Sequence, residues 1–402
     1  MLLVAVAATA SAFNYNQGRS TLSPYPTDRK IRVLPDTLHP VFVNAVLRHG
    51  SRYPASKNAT MMVKRALDRA DSLGTITELG KKLKRDVEAT VDAANGRWGQ
   101  LDELGELEHR SIALRLYRMC PALLDSAHIV AYSSSSPRSI MSMYAFTHEL
   151  TMLGKNVDLT TMSGPRFSPL MRFSESDEEY LAYRQSSAYR DEYAKMLNRN
   201  LTLEPLRRVL GDGYPLDKAN DSELAMSEYY VMAGMDAMGI DVDPSGYFTL
   251  AEYEKFWETF NFREYLLYSA TTLSTRPAEM AGKLLMDIIQ TTDSVVSGKL
   301  KIQAKLRFGH AETLMPLLSL MQVKGSYYMT NYFDTVAANW QGFKNTPMAC
   351  NLQMTLLRAD SGKLYVRLDL NERPVRLLDG QQTDYAPWAD VRSYLLDLVP
   401  IE

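Results

Sequence analysis

Cysteine is almost missing from this chain, which has two in 402 residues, Cys120 and Cys350. A scaffold held together by many disulfides is thereby excluded, and stability has to come from a packed core, for which this length is ample and sufficient for two lobes. Cys120 follows a helical stretch and Cys350 enters an apolar strand, the setting of buried free thiols, although one bridge between them stays open. An excess of either charge is lacking too. Forty-five Lys and Arg face 47 Asp and Glu, a formal net charge of −2, so no overall field draws in nucleic acid and anion affinity must come from local clusters. No apolar run reaches the roughly 18 residues that a membrane-crossing helix needs. Of the six histidines, His39, His109, His128 and His148 have no zinc-site spacing such as His-Glu-x-x-His and read as structural. There is no internal repeat. The 21 methionines and the aromatics fall mostly at helical spacing, as core packing does.

The chain does contain one sharp pattern. The apolar run Val41-Phe42-Val43-Asn44-Ala45-Val46-Leu47 leads into Arg48-His49-Gly50-Ser51-Arg52-Tyr53-Pro54. Such a run suits a buried strand, and the carboxyl ends of strands are where α/β sheets bind ligands. Two guanidiniums flanking an imidazole can grip a phosphoryl group through forked hydrogen bonds. Their charge also disfavours protonation of His49, which keeps a ring nitrogen free to attack. With five fixed residues, Arg-His-Gly-x-Arg-x-Pro arises by accident in a chain this long roughly once in ten thousand sequences.

The same strand-turn-helix construction recurs twice. Residues 128–132 form a short apolar run, followed by Ser133-Ser134-Ser135-Ser136-Pro137-Arg138-Ser139 and a helical pattern over 140–150. Proline and hydroxyls at a helix start suit an N-terminus, whose free N–H groups attract anions. Residues 300–308 alternate apolar and polar, predicting a half-buried strand, then reach Gly309-His310-Ala311-Glu312 and a helix over 313–321. Three such corners can converge on one pocket.

Arg48-His49-Gly50-x-Arg52-x-Pro54 resembles the signature of the histidine acid phosphatases, a branch of the histidine phosphatase superfamily that includes phytases and inositol-polyphosphate phosphatases. Most members carry His-Asp at the third corner; His310-Ala311-Glu312 is similar to the multiple inositol-polyphosphate phosphatases. The resemblance implies a phosphomonoesterase that works without a metal or other cofactor. His49 is the implied nucleophile, and Arg48, Arg52, Arg138 and His310 the groups that bind and stabilise the phosphoryl oxygens. Glu312 is the implied proton donor to the leaving alkoxide. Inositol polyphosphates such as phytate carry several phosphates, so further cations are expected to bind substrate, Lys57 first and Arg172 next.

The expected fold is α/β: a mixed-sheet domain flanked by helices, formed by 13–146 and 291–402, with a mainly helical cap inserted at 147–290. Residues 351–357 and 363–368 flank Ala359-Asp360-Ser361-Gly362 and read as a β-hairpin. Residues 1–12 are apolar and end in Ala10-Ser11-Ala12, like a secretory signal with its cleavage site but without a basic start. The location this implies is secreted, periplasmic or in the lumen of the secretory pathway. Asn-x-Ser/Thr sites at Asn58, Asn200 and Asn220 are near chance frequency.

Three other readings compete. Asp241 to Glu252 matches the oxygen spacing of an EF-hand loop, but no second loop accompanies it. Phe248-Thr249-Leu250-Ala251-Glu252 also reads as a capped helix start, so no calcium site is assigned. A secreted calcium- or ligand-binding protein without catalysis is the alternative from another class. A broad-specificity acid phosphatase or a phosphoglycerate-mutase-like phosphotransferase is the nearer one, the latter usually lacking Arg-x-Pro after Arg-His-Gly. Oligomeric state and the order of attack on an inositol ring are not legible.

Overall fold

The strand β1 (Leu38–Arg48) organises the molecule. Successive side chains of a strand point to opposite faces. Phe42 and Val46 accordingly enter one apolar cluster with Leu284, Leu285 and Ile288, while Val43, Ala45 and Leu47 enter another with Ile112, Phe146 and Leu150. Both faces are covered, as a continuous apolar run requires.

The computed structural model describes residues 13–400, so the signal-like segment 1–12 lies outside the described residues. The other strands are β2 (His128–Ser133), β3 (Asp158–Ser163), β4 (Ala304–Gly309), β5 (Asn351–Ala359), β6 (Leu364–Leu370), β7 (Arg373–Val375) and β8 (Ala386–Pro387). They form one sheet in the order β3-β2-β4-β1-β5-β6-β7, with β8 beside β6. From β3 to β1 the pairing is parallel, and from β1 to β7 it is antiparallel. This is the expected mixed-sheet α/β fold, and the hairpin at 351–370 is formed by β5 and β6.

Register brings the three corners together. β4 lies between β1 and β2, pairing Gly309 with Arg48 and Phe308 with Ser133. The carboxyl ends of all three strands are thus level at one edge, where the chain leaves for different helices.

Three expectations change. β4 begins at Ala304 rather than 300 and is not half-buried, because it sits between two strands under helices on both faces. Arg307 is fully enclosed, paired with Asp287 at 2.6 Å and donating to the Tyr132 hydroxyl at 2.9 Å. β3 has no counterpart in the sequence reading; it is a short, polar edge strand with a single neighbour, and so needs no apolar run. The helical lobe also departs from 147–290. β3 belongs to the sheet, and the Gly282–Val296 helix packs on β1 through Leu284, Leu285 and Ile288. The helices Lys57–Ser72 and Glu78–Ala94 in turn contribute Val63, Leu67, Leu83 and Val87 to the core of the helical lobe, against Leu206, Val209, Tyr229 and Phe256. The lobe is therefore built from two excursions of the chain.

In the loop 241–252, Thr249 and Glu252 form a capping box at the start of the Leu250–Tyr268 helix. Both Glu252 oxygens accept from Arg208, at 2.7 and 2.8 Å. The position-12 carboxylate is thus tied to a cation and a helix end, which opposes the EF-hand reading. Cys120 and Cys350 are buried free thiols. Asn200 is buried, donating to the Lys255 carbonyl, so its glycosylation sequence is enclosed.

Candidate active site

The turn after β1 is held by its backbone. His49 N–H donates to the Gly309 carbonyl (3.0 Å), and the His49 carbonyl accepts from Ala349 N–H (3.0 Å). Gly50 N–H donates to Ser142 Oγ (3.1 Å). A side chain at Gly50 is impossible here: a Cβ would lie 2.5 Å from the Gly105 carbonyl oxygen, because the start of the Glu103–Met119 helix packs directly on the turn. The glycine thus serves a backbone contact between turn and helix.

Glu108, on that helix, completes the clamp. Its carboxylate accepts Ser51 N–H (2.7 Å), Ser51 Oγ–H (2.8 Å) and Tyr25 N–H (2.6 Å), with no solvent exposure. Burial pushes its pKa up to about 7, against these three donors, which favour the ionised form.

His49 is almost enclosed, and its Nδ1 lies 2.9 Å from the Gly50 carbonyl oxygen. A carbonyl can only accept, so Nδ1 carries the proton and Nε2 keeps its lone pair. Burial holds the pKa of His49 well below the ordinary value, helped by the charges of Arg138, Arg48, His310 and Arg52. The ring faces His310 edge-on, centroids 5.4 Å apart.

Arg48 donates through Nη1 to the carbonyls of Thr21 and Thr346, both at 2.6 Å. Arg52 donates to the Tyr53 carbonyl at 3.0 Å. Arg138, at the start of the Pro137–Leu153 helix, has Nη2 3.3 Å from His310 Nδ1. None of these three guanidiniums has a carboxylate partner among the described residues, and the Nε of each is buried without a hydrogen bond. Burial lowers the pKa of Arg48, and burial with Arg52 beside it brings that of Arg138 to about 10. Concentrated positive charge that the fold leaves unneutralised is a site for an anion.

His310 caps the third corner. Its N–H donates to Thr313 Oγ1 (3.0 Å), and Nε2 lies 2.9 Å from Ser134 Oγ. Burial and the guanidiniums of Arg138 and Arg172 push its pKa well below the ordinary value.

Glu312 is exposed and lines a cavity of about 360 Å³ with Arg138, Arg172, Arg184, Tyr268 and His310. Arg172 has its Nη1 3.4 Å from His310 Nε2 and its other end paired with Glu175. Lys57 is exposed at the start of the Lys57–Ser72 helix and is not among the residues lining this cavity. A larger hollow of about 700 Å³ lies elsewhere, between Phe173, Met280 and Pro400. Two of its charged groups, Asp177 and Arg276, are bonded to each other. Its size does not make it the site, because Arg138 and His310 line the smaller cavity and His49 packs edge-on against His310.

Ser134, Glu108 and Arg184 were missed in the sequence. Ser134 stood in the serine-rich turn already noted. Glu108 and Arg184 had no signal, being ordinary charged residues on helices.

The profile of the histidine phosphatase superfamily (branch 2) matches residues 41–371. Human multiple inositol polyphosphate phosphatase 1 is 24% identical over 413 residues, covering 92% of this chain and 82% of its own. The crystal structure of Bifidobacterium longum multiple inositol polyphosphate phosphatase in complex with inositol hexasulfate superposes with a TM-score of 0.79 at 18% identity, over 94% of this chain and 97% of that one. The phytase from D. castellii gives 0.72 at 16% identity, over 98% and 88%. At such identities the structural likeness speaks of the fold.

Proposed function

The chain belongs to the histidine phosphatase superfamily (branch 2), and from that premise we propose that it hydrolyses phosphomonoesters of inositol polyphosphates through a phosphohistidine. The observation that carries this reading is the pairing of a neutral, Nδ1-protonated His49 with the buried Arg48 and Arg52 and the half-buried Arg138, none of which has a carboxylate partner among the described residues.

In the first step Nε2 of His49 attacks phosphorus, a P–N bond forms, and the ester P–O bond breaks. Glu312 gives its proton to the departing alkoxide. The charge on the equatorial oxygens is met by Arg48, Arg52, Arg138 and His310, with Arg172 beside them; donors already fixed in place need no reorganisation as that charge develops. The Nδ1–H bond to the Gly50 carbonyl stabilises the cationic phosphoimidazole. Water then attacks the phosphohistidine with Glu312 as base, releasing phosphate and restoring Nε2.

The substrate class is supported by the relatives named for inositol polyphosphates and by a cavity in the size range of small-molecule sites, ~300–1,000 Å³. Lys57 remains a candidate for an outer phosphate only. A secreted, periplasmic or lumenal location is part of the same proposal, resting on residues 1–12; the N-terminal sequence of protein recovered from outside the cytoplasm tests it.

The reaction is tested by acid-quenching turnover of a phosphorus-labelled aryl phosphate. Label on His49, and its absence in a folded His49→Ala variant with under about 1% activity, is expected. Label on serine or aspartate, or burst-free kinetics with a fully active His49→Ala, overturns the scheme.

A further inference from the structure

We propose that Arg184 is a specificity-determining residue that holds a second, non-reacting phosphate of the substrate. The inference rests on the inositol-polyphosphate reading above.

In the proposed reaction one phosphoryl group is met by Arg48, Arg52, Arg138 and His310. The cavity lined by Arg138 and His310 is lined as well by Arg172, Glu312, Arg184 and Tyr268, more cations than that one group uses. The two outer arginines differ in a decisive way. Arg172 is ion-paired with Glu175, so much of its charge is cancelled locally. Arg184, exposed on the Glu178–Gln185 helix, makes no ion pair among the described residues; its guanidinium instead lies over the Tyr180 ring, 5.8 Å from the centroid. An aromatic face supports a guanidinium without using its N–H donors, which leaves the planar fork open to a phosphate.

Tyr180 gives the placement its rigidity. It is fully buried in the same apolar cluster as Met171 and Phe173, which flank Arg172 in sequence. The ring under Arg184 and the residues flanking Arg172 are therefore packed in one cluster. A substrate with a single phosphate has nothing to offer Arg184; one with several vicinal phosphates does.

The experiment compares KM for phytate and for an aryl phosphate in the wild type, Arg184→Gln and Arg184→Lys. For Arg184→Gln, KM for phytate is expected to rise about tenfold while that for the aryl phosphate changes less than about twofold, with Arg184→Lys recovering part of the loss. The ratio of the two KM values separates this role from a folding defect, which would lower active enzyme equally for both substrates. Equal changes in both KM values, or none in either, overturn the role of Arg184 and leave the substrate reading standing. Wild-type enzyme that turns over the aryl phosphate but not phytate overturns the substrate reading, and the inference with it.

Discussion

Glu312 and Glu108 differ in exposure, and the proposed reaction gives them different work. Glu312 is exposed at the cavity wall, open to a proton transfer in the proposed reaction; Glu108 is enclosed against the Ser51 turn, where it holds backbone and hydroxyl donors. Glu312→Gln should cost phytate turnover about 100-fold or more and aryl phosphate turnover far less, because a phenolate leaves with little help. Steady-state kcat on the two substrates checks this, and equal losses would move the proton donor elsewhere. Glu108→Gln should act the other way, lowering kcat on both substrates by about tenfold with KM little changed, since an amide nitrogen would face one of the donors from Ser51 or Tyr25. A kcat that falls on phytate alone would contradict the positioning role.

At the scale of elements, the site depends on helix and turn meeting without side chains between them. A Cβ at Gly105 would lie 2.2 Å from the Ser51 carbonyl oxygen and 2.9 Å from its nitrogen, so Gly105→Ala has to displace either the Glu103–Met119 helix or the nucleophile turn. A loss of about 1–3 kcal/mol in stability and at least tenfold in kcat on the aryl phosphate is expected, read by denaturant titration and turnover of the folded fraction. Wild-type kcat with reduced stability alone would mean the helix yields and the turn does not. The elements themselves were unequally legible. β1, β2, the hairpin and the helices after each corner followed from apolar runs, alternation and proline placement. The capping box at Thr249 was visible too, but only the structure gave Glu252 its partner in Arg208, a residue 44 positions away. β3 and the enclosed Arg307 escaped because pairing, and not residue pattern, made them what they are.

For the molecule as a whole, Glu228 is an unresolved tension in the helical lobe. It is fully buried, both its oxygens lack hydrogen-bond partners among the described residues, and its pKa is pushed up to about 8 by burial, opposed by Arg208 and abetted by Glu252. A carboxyl raised in the folded state stabilises the fold below its unfolded value, about 4.5, and that contribution is lost as pH rises toward the folded value, about 8. Glu228→Gln should therefore match the wild type near the lower end of this window and exceed it near the upper end, by on the order of 2–4 kcal/mol. Urea unfolding at both ends of the window checks this, and an equal difference at both would remove titration as the cause.

By itself the sequence determined which residues stand at the three corners, because Arg-His-Gly-x-Arg-x-Pro, the serine-proline turn before Arg138 and His310-Ala311-Glu312 are local patterns of residue type and spacing. It also determined the class of fold, since strand and helix periods are local. Tertiary structure alone decided that β4 would lie between β1 and β2 and so level the corners, that Glu108 would grip Ser51 from 57 residues away, and that Arg184 rather than Lys57 would line the cavity. Those outcomes depend on which surfaces pack together, and a charged residue on a helix reads the same in sequence whether it faces solvent, a backbone turn or a substrate.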